Sequence, residues 1–115
     1  MRQMDPIEFE HVVTDALKRR GYTNVVHTGR PGDGGVDVRG VDPAGKDVAV
    51  QVKRYAAKYP VDEGLIDALV GAIAVKKADR GMFVTTSSYT EPAAQAAAKA
   101  GIELIDSSNI DHFLR

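Results

Sequence analysis

The chain has 115 residues, 43% of them hydrophobic, so one compact domain over residues 1–115 is expected and two would be too small. It has no cysteine, which excludes a disulfide framework, a thiolate zinc site and a cysteine nucleophile. A net charge of -1 does not indicate a nucleic-acid partner, and the lack of a roughly 20-residue apolar span or an N-terminal apolar run predicts a cytoplasmic protein without membrane contact.

The first half of the chain predicts one helix followed by three strands. The segment DPIEFEHVVTDALKRRG has Asp5 as an N-cap, Pro6 in the first turn and Gly21 at its end, a pattern typical of an amphipathic helix. TNVVHT then predicts a short edge strand. VDVRGV and DVAVQVKRY flank a turn over residues 42–46, so we expect these two strands to form an antiparallel hairpin.

The second half predicts alternating helices and strands. Helical spacing of apolar residues from Val61 to about Ala78 predicts a helix, in which we interpret Gly71 as a point of close packing. GMFVTTS predicts a fully buried strand. TEPAAQAAAKAG predicts a helix that begins after Thr90 and ends at Gly101, and IELID predicts a last strand.

The last segment, SSNIDHFLR, predicts a short closing helix capped by Ser107 or Ser108. The order is therefore one helix, three strands, then helix, strand, helix and strand. This order predicts an α/β fold with a mixed sheet, an αβββαβ core, and helices on both faces.

A polar pair interrupts the third predicted strand. Gln51 and Lys53 share one face because side chains alternate along a strand, and the valines beside them face the other way. Burying a lysine there is costly unless an anion lies nearby, and Asp37, across the hairpin, is the obvious anion.

These residues suit the hydrolysis of a phosphodiester, which needs a hard cation, an activated water and positive charge near the phosphate. Asp37 can hold the cation directly, and the side-chain oxygen of Gln51 or the main-chain carbonyl of Val52 can add a ligand. Lys53 can orient the water or stabilise the negative charge that develops on the phosphate oxygens during the reaction. Because all of these ligands are oxygens, Mg²⁺ or Mn²⁺ is the expected cation.

We expect a further ligand from the first helix. Glu10 lies at the border of its apolar stripe, where the side chain can tilt towards a sheet edge. Glu8 lies at the opposite border and is better placed as the capping-box acid. Glu10 is therefore the predicted distal metal ligand.

Other polar residues are candidates for contact with DNA phosphates. Arg54 and Lys58 follow the third strand, and Thr86 and Ser87 follow the buried strand further along the chain. The two hydroxyl residues are explained equally well as the start of a loop. A basic surface is expected if the cluster around Arg54 and the cluster over residues 76–80 share one face.

Three segments in order, GYxNVVHTGRPGDGGVD, QVKRY and GMFVTTSSYTxxA, resemble the catalytic domain of Mrr-type restriction endonucleases over nearly the whole chain. That family belongs to the PD-(D/E)xK nucleases, and in its Mrr branch glutamine commonly replaces the second acid, as Gln51 does here. The resemblance implies a restriction-endonuclease-like fold and a metal-dependent DNA endonuclease. It implies Asp37, Gln51 and Lys53 as signature residues, with Glu10 as the acid on the helix.

Several alternatives stay open at this point. Asp33, in the glycine-rich loop, is interpreted as a turn cap, although it can also support a water at the site. Asp37 and Lys53 can form an ordinary cross-strand ion pair. A structure-selective nuclease such as a Holliday-junction resolvase, or a catalytically silent nucleic-acid-binding domain, would use the same fold. Homodimerisation and a separate target-recognition domain or protein are further expectations that no residue decides.

Overall fold

The computed structural model describes residues 5–28 and 36–115, and the helices and strands within them follow the predicted order. They are α1 (Pro6–Arg19), β1 (Thr23–His27), β2 (Val38–Val41), β3 (Asp47–Lys53), α2 (Glu63–Lys76), β4 (Arg80–Thr85), α3 (Glu91–Ala100), β5 (Glu103–Ile105) and α4 (Ile110–Phe113). None of the helices in these two ranges is long and apolar enough to cross a membrane.

The strands form one mixed sheet whose order, β1-β2-β3-β4-β5, follows the chain. β1, β2 and β3 are antiparallel neighbours, with Val38 opposite Val50 in the predicted hairpin. β4 and β5 join in parallel, and Lys53 at the end of β3 lies opposite Thr85 at the end of β4. The predicted meander with parallel crossovers, and the edge position of β1, are confirmed.

Helices cover both faces of the sheet, as predicted. α1 and α4 pack on one face, in a cluster that includes Phe9 and Phe113 together with the valines at positions 48, 50 and 52 of β3. α2 and α3 pack on the other face, in a cluster that includes Ile66, Phe83 and Ala49. The alternation predicted for β3 is therefore confirmed, and the fold has three layers.

Local hydrogen bonds explain why the elements begin and end where they do. The Asp5 carboxylate accepts from the Glu8 N–H at 2.7 Å and caps α1. The Thr90 hydroxyl accepts from the Ala93 N–H at 3.2 Å and caps α3, which Gly101 ends in the left-handed conformation. These three sequence predictions are confirmed.

Two local predictions are wrong. Among the described residues, no atom lies within 4 Å of the place where a Gly71 side chain would stand. The close approach occurs instead at Gly81 of β4, where an added Cβ would lie 2.5 Å from the Cδ1 atom of Ile73 in α2. Neither Ser107 nor Ser108 caps α4, which begins after Asn109. The Ser108 hydroxyl is already used in the preceding turn, where it donates to the carboxylate of Asp106.

The hairpin end of the sheet is closed by an arginine network. The Asp42 carboxylate accepts from the N–H groups of Ala44 and Lys46, both at 2.9 Å. Arg80 donates to Asp42 at 2.9 Å and to the Tyr22 hydroxyl at 2.8 Å. The basic residues 76–80 therefore lie at the hairpin end, opposite the Arg54 cluster, because β3 and β4 run in parallel between them. The two basic clusters are therefore separated by the length of these strands.

Candidate functional site

The site is built where β2 and β3 separate. Asp37 lies just before β2, and its N–H donates to the Val50 carbonyl at 2.8 Å. Its Oδ2 atom accepts from the Val52 N–H, also at 2.8 Å, so the carboxylate occupies a place that a longer β2 would fill with main chain. The Asp37 side chain is thus held between the strand ends, and its hydrogen bond goes to main chain rather than to Lys53.

The end of β1 is fastened to the same segment. The Thr28 N–H donates to the Asp37 carbonyl at 2.7 Å, and its hydroxyl donates to the Val36 carbonyl at 2.9 Å. These bonds join the chain on either side of residues 29–35. The predicted role of Asp33 falls in that segment, outside the described residues.

The electrostatics of Asp37 favour a bound cation. Burial raises the pKa of the Asp37 carboxyl most strongly, and the Glu10 carboxylate raises it further. The Val52 N–H, Lys53 and His27 act against that rise. A positive ion is stabilising beside a carboxyl whose ionisation is disfavoured by burial and by a second acid, with only partial compensation.

Glu10 extends from α1 and is close enough to Asp37 to raise the pKa of that carboxyl. Its side chain is only 12% exposed, and the Nε2 atom of His27, at the end of β1, donates to its Oε1 atom. The ring of His11 stacks on that of His27 with 5.1 Å between centroids. This pairing was not among the sequence predictions.

A signal for this pairing exists in the sequence. α1 ends near Gly21 and β1 returns along it. Glu10 is eleven residues before Gly21, or about 16 Å at 1.5 Å per residue, which corresponds to about five strand residues after Gly21 at about 3.3 Å per residue. His27 lies one residue beyond that position. The two residues can be matched only when the helix and strand are known to run antiparallel.

Gln51 provides the test of whether a metal fits. Its side chain is buried, with the residue 4% exposed, yet its Oε1 atom has no hydrogen-bond partner within the described parts of the chain. Because an unmet buried acceptor costs about 1–3 kcal/mol, this oxygen is suited to a ligand that folding alone does not supply. In addition, the Val52 carbonyl points towards β2, because its N–H points that way. These two oxygen atoms, together with the carboxylates, are the kind of ligand that a hard divalent cation prefers.

Carboxylates alone do not complete the site. Over residues 5–28 and 36–115, no three histidine, aspartate or glutamate side chains are grouped closely enough to hold a metal ion. Any cation would therefore use amide and main-chain oxygens and water beside the acids. Mg²⁺ characteristically keeps several waters in this way.

The segment after β3 is tied to the end of β4 by hydroxyl groups. The Thr85 hydroxyl donates to the Lys53 carbonyl at 2.7 Å, and the Thr86 hydroxyl donates to the Tyr55 carbonyl at 2.8 Å. The Ser87 hydroxyl donates to the Ala57 carbonyl at 3.3 Å. Ser87 is 1% exposed, which leaves its side chain almost no surface for the predicted contact with DNA.

The other predicted DNA contacts stay predictions. Arg54 is half-buried, and its Nε atom has no partner among the described groups. Lys58 is exposed, with its Nζ atom 5.2 Å from the centre of the Tyr59 ring. Thr86 is half-buried, and although its hydroxyl donates within the fold, the oxygen can still accept.

Comparison with known proteins agrees with this geometry. Residues 1–114 match the Mrr_cat family, which is described as restriction endonuclease. The type IV methyl-directed restriction enzyme EcoKMrr of Escherichia coli (strain K12) is 37% identical over 119 residues, a match that covers 97% of this chain and 38% of that protein.

Solved structures show the same fold. The DNA modification-dependent restriction endonuclease AspBHI matches with a TM-score of 0.73 and 26% identity, over 96% of this chain and 31% of that one. A repair endonuclease from Pyrococcus abyssi matches with a TM-score of 0.67 and 23% identity, over 92% of this chain and 48% of that one. The chain thus spans less than half of these proteins. The predicted resemblance is confirmed, and the chain belongs to the Mrr_cat family of restriction endonucleases, with the restriction-endonuclease-like fold.

Proposed function

We propose that this chain is a catalytic domain that hydrolyses phosphodiester bonds of DNA with the help of Mg²⁺ or Mn²⁺. The observation that carries the proposal is the Asp37 carboxylate, held by the Val52 N–H and within the field of Lys53. The preceding residue of β3, Gln51, has a buried Oε1 atom with no partner in the described parts of the chain. Membership of a restriction endonuclease family supports the same activity.

In this proposal, four groups hold the cation: the Asp37 and Glu10 carboxylates, the Gln51 side-chain oxygen and the Val52 carbonyl. A divalent cation bound there supplies a Lewis acid for the phosphate and favours ionisation of a nearby water. The protein fixes three of these groups in place before the cation binds. Gln51 and Val52 belong to β3, and the Asp37 carboxylate is hydrogen-bonded to β3.

Lys53 acts on the phosphate or the attacking water. Its position at the end of β3 is fixed by the Thr85 hydroxyl, which donates to its carbonyl at 2.7 Å. An ammonium group fixed near the reacting phosphate stabilises the negative charge that develops as the bond to phosphorus breaks. Lys53 is therefore assigned a catalytic role that does not require it to hold the cation.

Arg54, Lys58 and Thr86 are proposed to contact the DNA backbone. Such contacts supply affinity and register but no sequence information. EcoKMrr is methyl-directed and AspBHI is modification-dependent, and this chain corresponds to 38% and 31% of those proteins. We therefore assign target choice to a separate domain or protein, and double-strand cleavage to two copies of the chain.

The test is cleavage of supercoiled plasmid, methylated and unmethylated, in Mg²⁺, in Mn²⁺ and in EDTA. Nicking or linearisation is expected only with a cation, and is expected to disappear in Asp37→Asn and Lys53→Ala. The controls are Asp67→Asn and Lys99→Ala, which make the same changes at exposed positions of α2 and α3, away from the site. Both variants should cleave like the wild type. Cleavage that survives in Asp37→Asn would refute the site, and DNA binding without cleavage by the wild type would favour a silent binding domain.

A further inference from the structure

A histidine lies behind the Glu10 carboxylate. His27 is at the end of β1, opposite Val38 of β2, and its Nε2 atom donates to the Oε1 atom of Glu10. His27 as a residue is exposed on the edge strand β1, but its side chain is only 26% exposed. The imidazole therefore leans towards α1 and remains partly in contact with solvent.

This histidine is also fixed relative to Asp37. The residue after it, Thr28, donates its N–H to the Asp37 carbonyl at 2.7 Å. One side of the imidazole is supported by the ring of His11, stacked at 5.1 Å and inclined by 26°. The imidazole that donates to Glu10 is thus connected, through Thr28, to the segment that contains Asp37.

We propose that His27 is a positioning residue, which holds the Glu10 carboxylate beside Asp37 so that both acids face one divalent cation. This inference rests on the proposed function. A glutamate has three side-chain torsions, and ordering a side chain of this length costs up to about 2 kcal/mol. A hydrogen bond that exists before the cation arrives removes part of that cost from binding.

The hydrogen bond still leaves Glu10 able to bind a cation. A carboxylate has two oxygens with about four lone-pair positions in all, and His27 engages only one of its oxygens. Groups that orient a metal ligand from behind typically contribute about 10–100-fold to metal affinity. The proposal thus predicts an effect of His27 on the affinity for metal, not only on cleavage.

Two substitutions separate this role from simple packing. His27→Gln keeps an N–H at the position of Nε2 but loses the ring that stacks on His11. His27→Phe keeps a ring but loses the donor. Positioning predicts that the glutamine variant retains function and the phenylalanine variant loses it, whereas packing alone predicts the reverse.

The measurement is the affinity of the full chain for Mn²⁺ alone, from the electron paramagnetic resonance signal of free Mn²⁺, with cleavage against Mn²⁺ concentration as a second readout. We expect His27→Phe to weaken Mn²⁺ binding by about 10–100-fold, and His27→Gln to stay close to the wild type. His112→Phe makes the same change at an exposed position of α4 and should leave the affinity for Mn²⁺ unchanged. Circular dichroism melts in EDTA establish that each variant is folded before binding is compared.

The two proposals fail in different ways. If the wild type binds Mn²⁺ no better than Asp37→Asn, the metal site itself is wrong. If Asp37→Asn loses binding but His27→Phe binds like the wild type, the proposed function stands and the role of His27 is wrong. Equal losses in His27→Gln and His27→Phe would likewise overturn it, because a retained N–H would then have no effect.

Discussion

Gln51→Glu tests the site through stability alone. The change replaces a neutral amide, in a residue 4% exposed, by a carboxyl of the same shape beside Asp37, whose own pKa is already raised by burial. With no cation present, an ionised carboxylate at position 51 would be buried beside a second acid, and Lys53 would offset only part of that unfavourable free energy. The variant is therefore expected to be less stable than the wild type in EDTA.

The size of the loss has an upper limit, because the introduced carboxyl can bind a proton instead. Protonating a glutamate at pH 7 costs about 1.36 kcal/mol for each pH unit above its ordinary pKa of about 4.3, or about 4 kcal/mol in total. A change of 1 kcal/mol shifts the melting temperature of a domain of this size by about 4 °C, so a decrease of up to about 15 °C is expected. The decrease should vanish near pH 4, where protonation no longer costs free energy.

The assay is thermal unfolding followed by circular dichroism at pH 7, in EDTA and in Mg²⁺. A cation present at 100 times its dissociation constant stabilises the folded state by about 2.7 kcal/mol, which would recover most of the loss. The additional carboxylate should also strengthen binding, so Mg²⁺ should raise the melting temperature of the variant more than that of the wild type. Gln95→Glu, on the exposed surface of α3, is the matched control and should change stability by less than about 0.5 kcal/mol.

Either of two results would refute the reasoning. A variant that melts like the wild type in EDTA would mean that position 51 is accessible to water and not desolvated beside an acid. A variant that is destabilised but gains nothing from Mg²⁺ or Mn²⁺ would mean that the oxygens of Gln51 and Asp37 do not hold a cation.

Three further predictions concern stability without divalent cations. Burial chiefly raises the pKa of Asp37, and stability linked to a raised pKa is lost as the pH rises through it, so Asp37→Asn should melt above the wild type at pH 7 but not at pH 3. The Lys46 N–H chiefly lowers the pKa of Asp42, so Asp42→Asn should melt below the wild type at pH 7, with the difference lost as the pH falls through the lowered pKa. Melting curves between pH 7 and pH 2 check both signs. Gly81→Ala should cost about 1 kcal/mol in urea unfolding, because its Cβ would lie 2.5 Å from the Cδ1 atom of Ile73, which is the far end of a side chain and can shift. Adding Ile73→Val, which removes that atom, should recover part of the loss, and strictly additive losses would contradict the proposed clash.

The order of the elements was predictable because local signals agreed with the tertiary structure. Asp5 and Thr90 each cap a helix through their own side chain, and such caps need no knowledge of the fold. Gly71 and the cap of α4 were mispredicted because both depend on neighbours distant in sequence or on competition within a turn. A glycine in a helix has the same sequence signature whether it faces a neighbouring element or open solvent, and only the packing of α2 on β4 identifies Gly81 as the close contact.

The candidate site was predictable where chemistry follows strand alternation. Gln51 and Lys53 could be placed on one face of β3 from their spacing, and Asp37 could be placed across the hairpin. The hydrogen bond from the Val52 N–H to Asp37 could not be anticipated, because it depends on β2 ending before its partner strand does. His27 was missed for a related reason, since its contact with Glu10 exists only after β1 folds back along α1.

The two ends of the sheet show why acidic and basic residues alone do not identify a site. At the hairpin end, Asp42 and Arg80 meet each other's hydrogen-bonding needs, and the pKa of Asp42 is lowered, chiefly by the Lys46 N–H. At the opposite end, Asp37 has a pKa raised by burial, and Gln51 leaves a buried oxygen without a partner in the described chain. Folding stability favours the first arrangement and is reduced by the second. An arrangement that reduces stability persists when a ligand compensates for it, which is the physical reason to assign the chemistry to this end of the sheet.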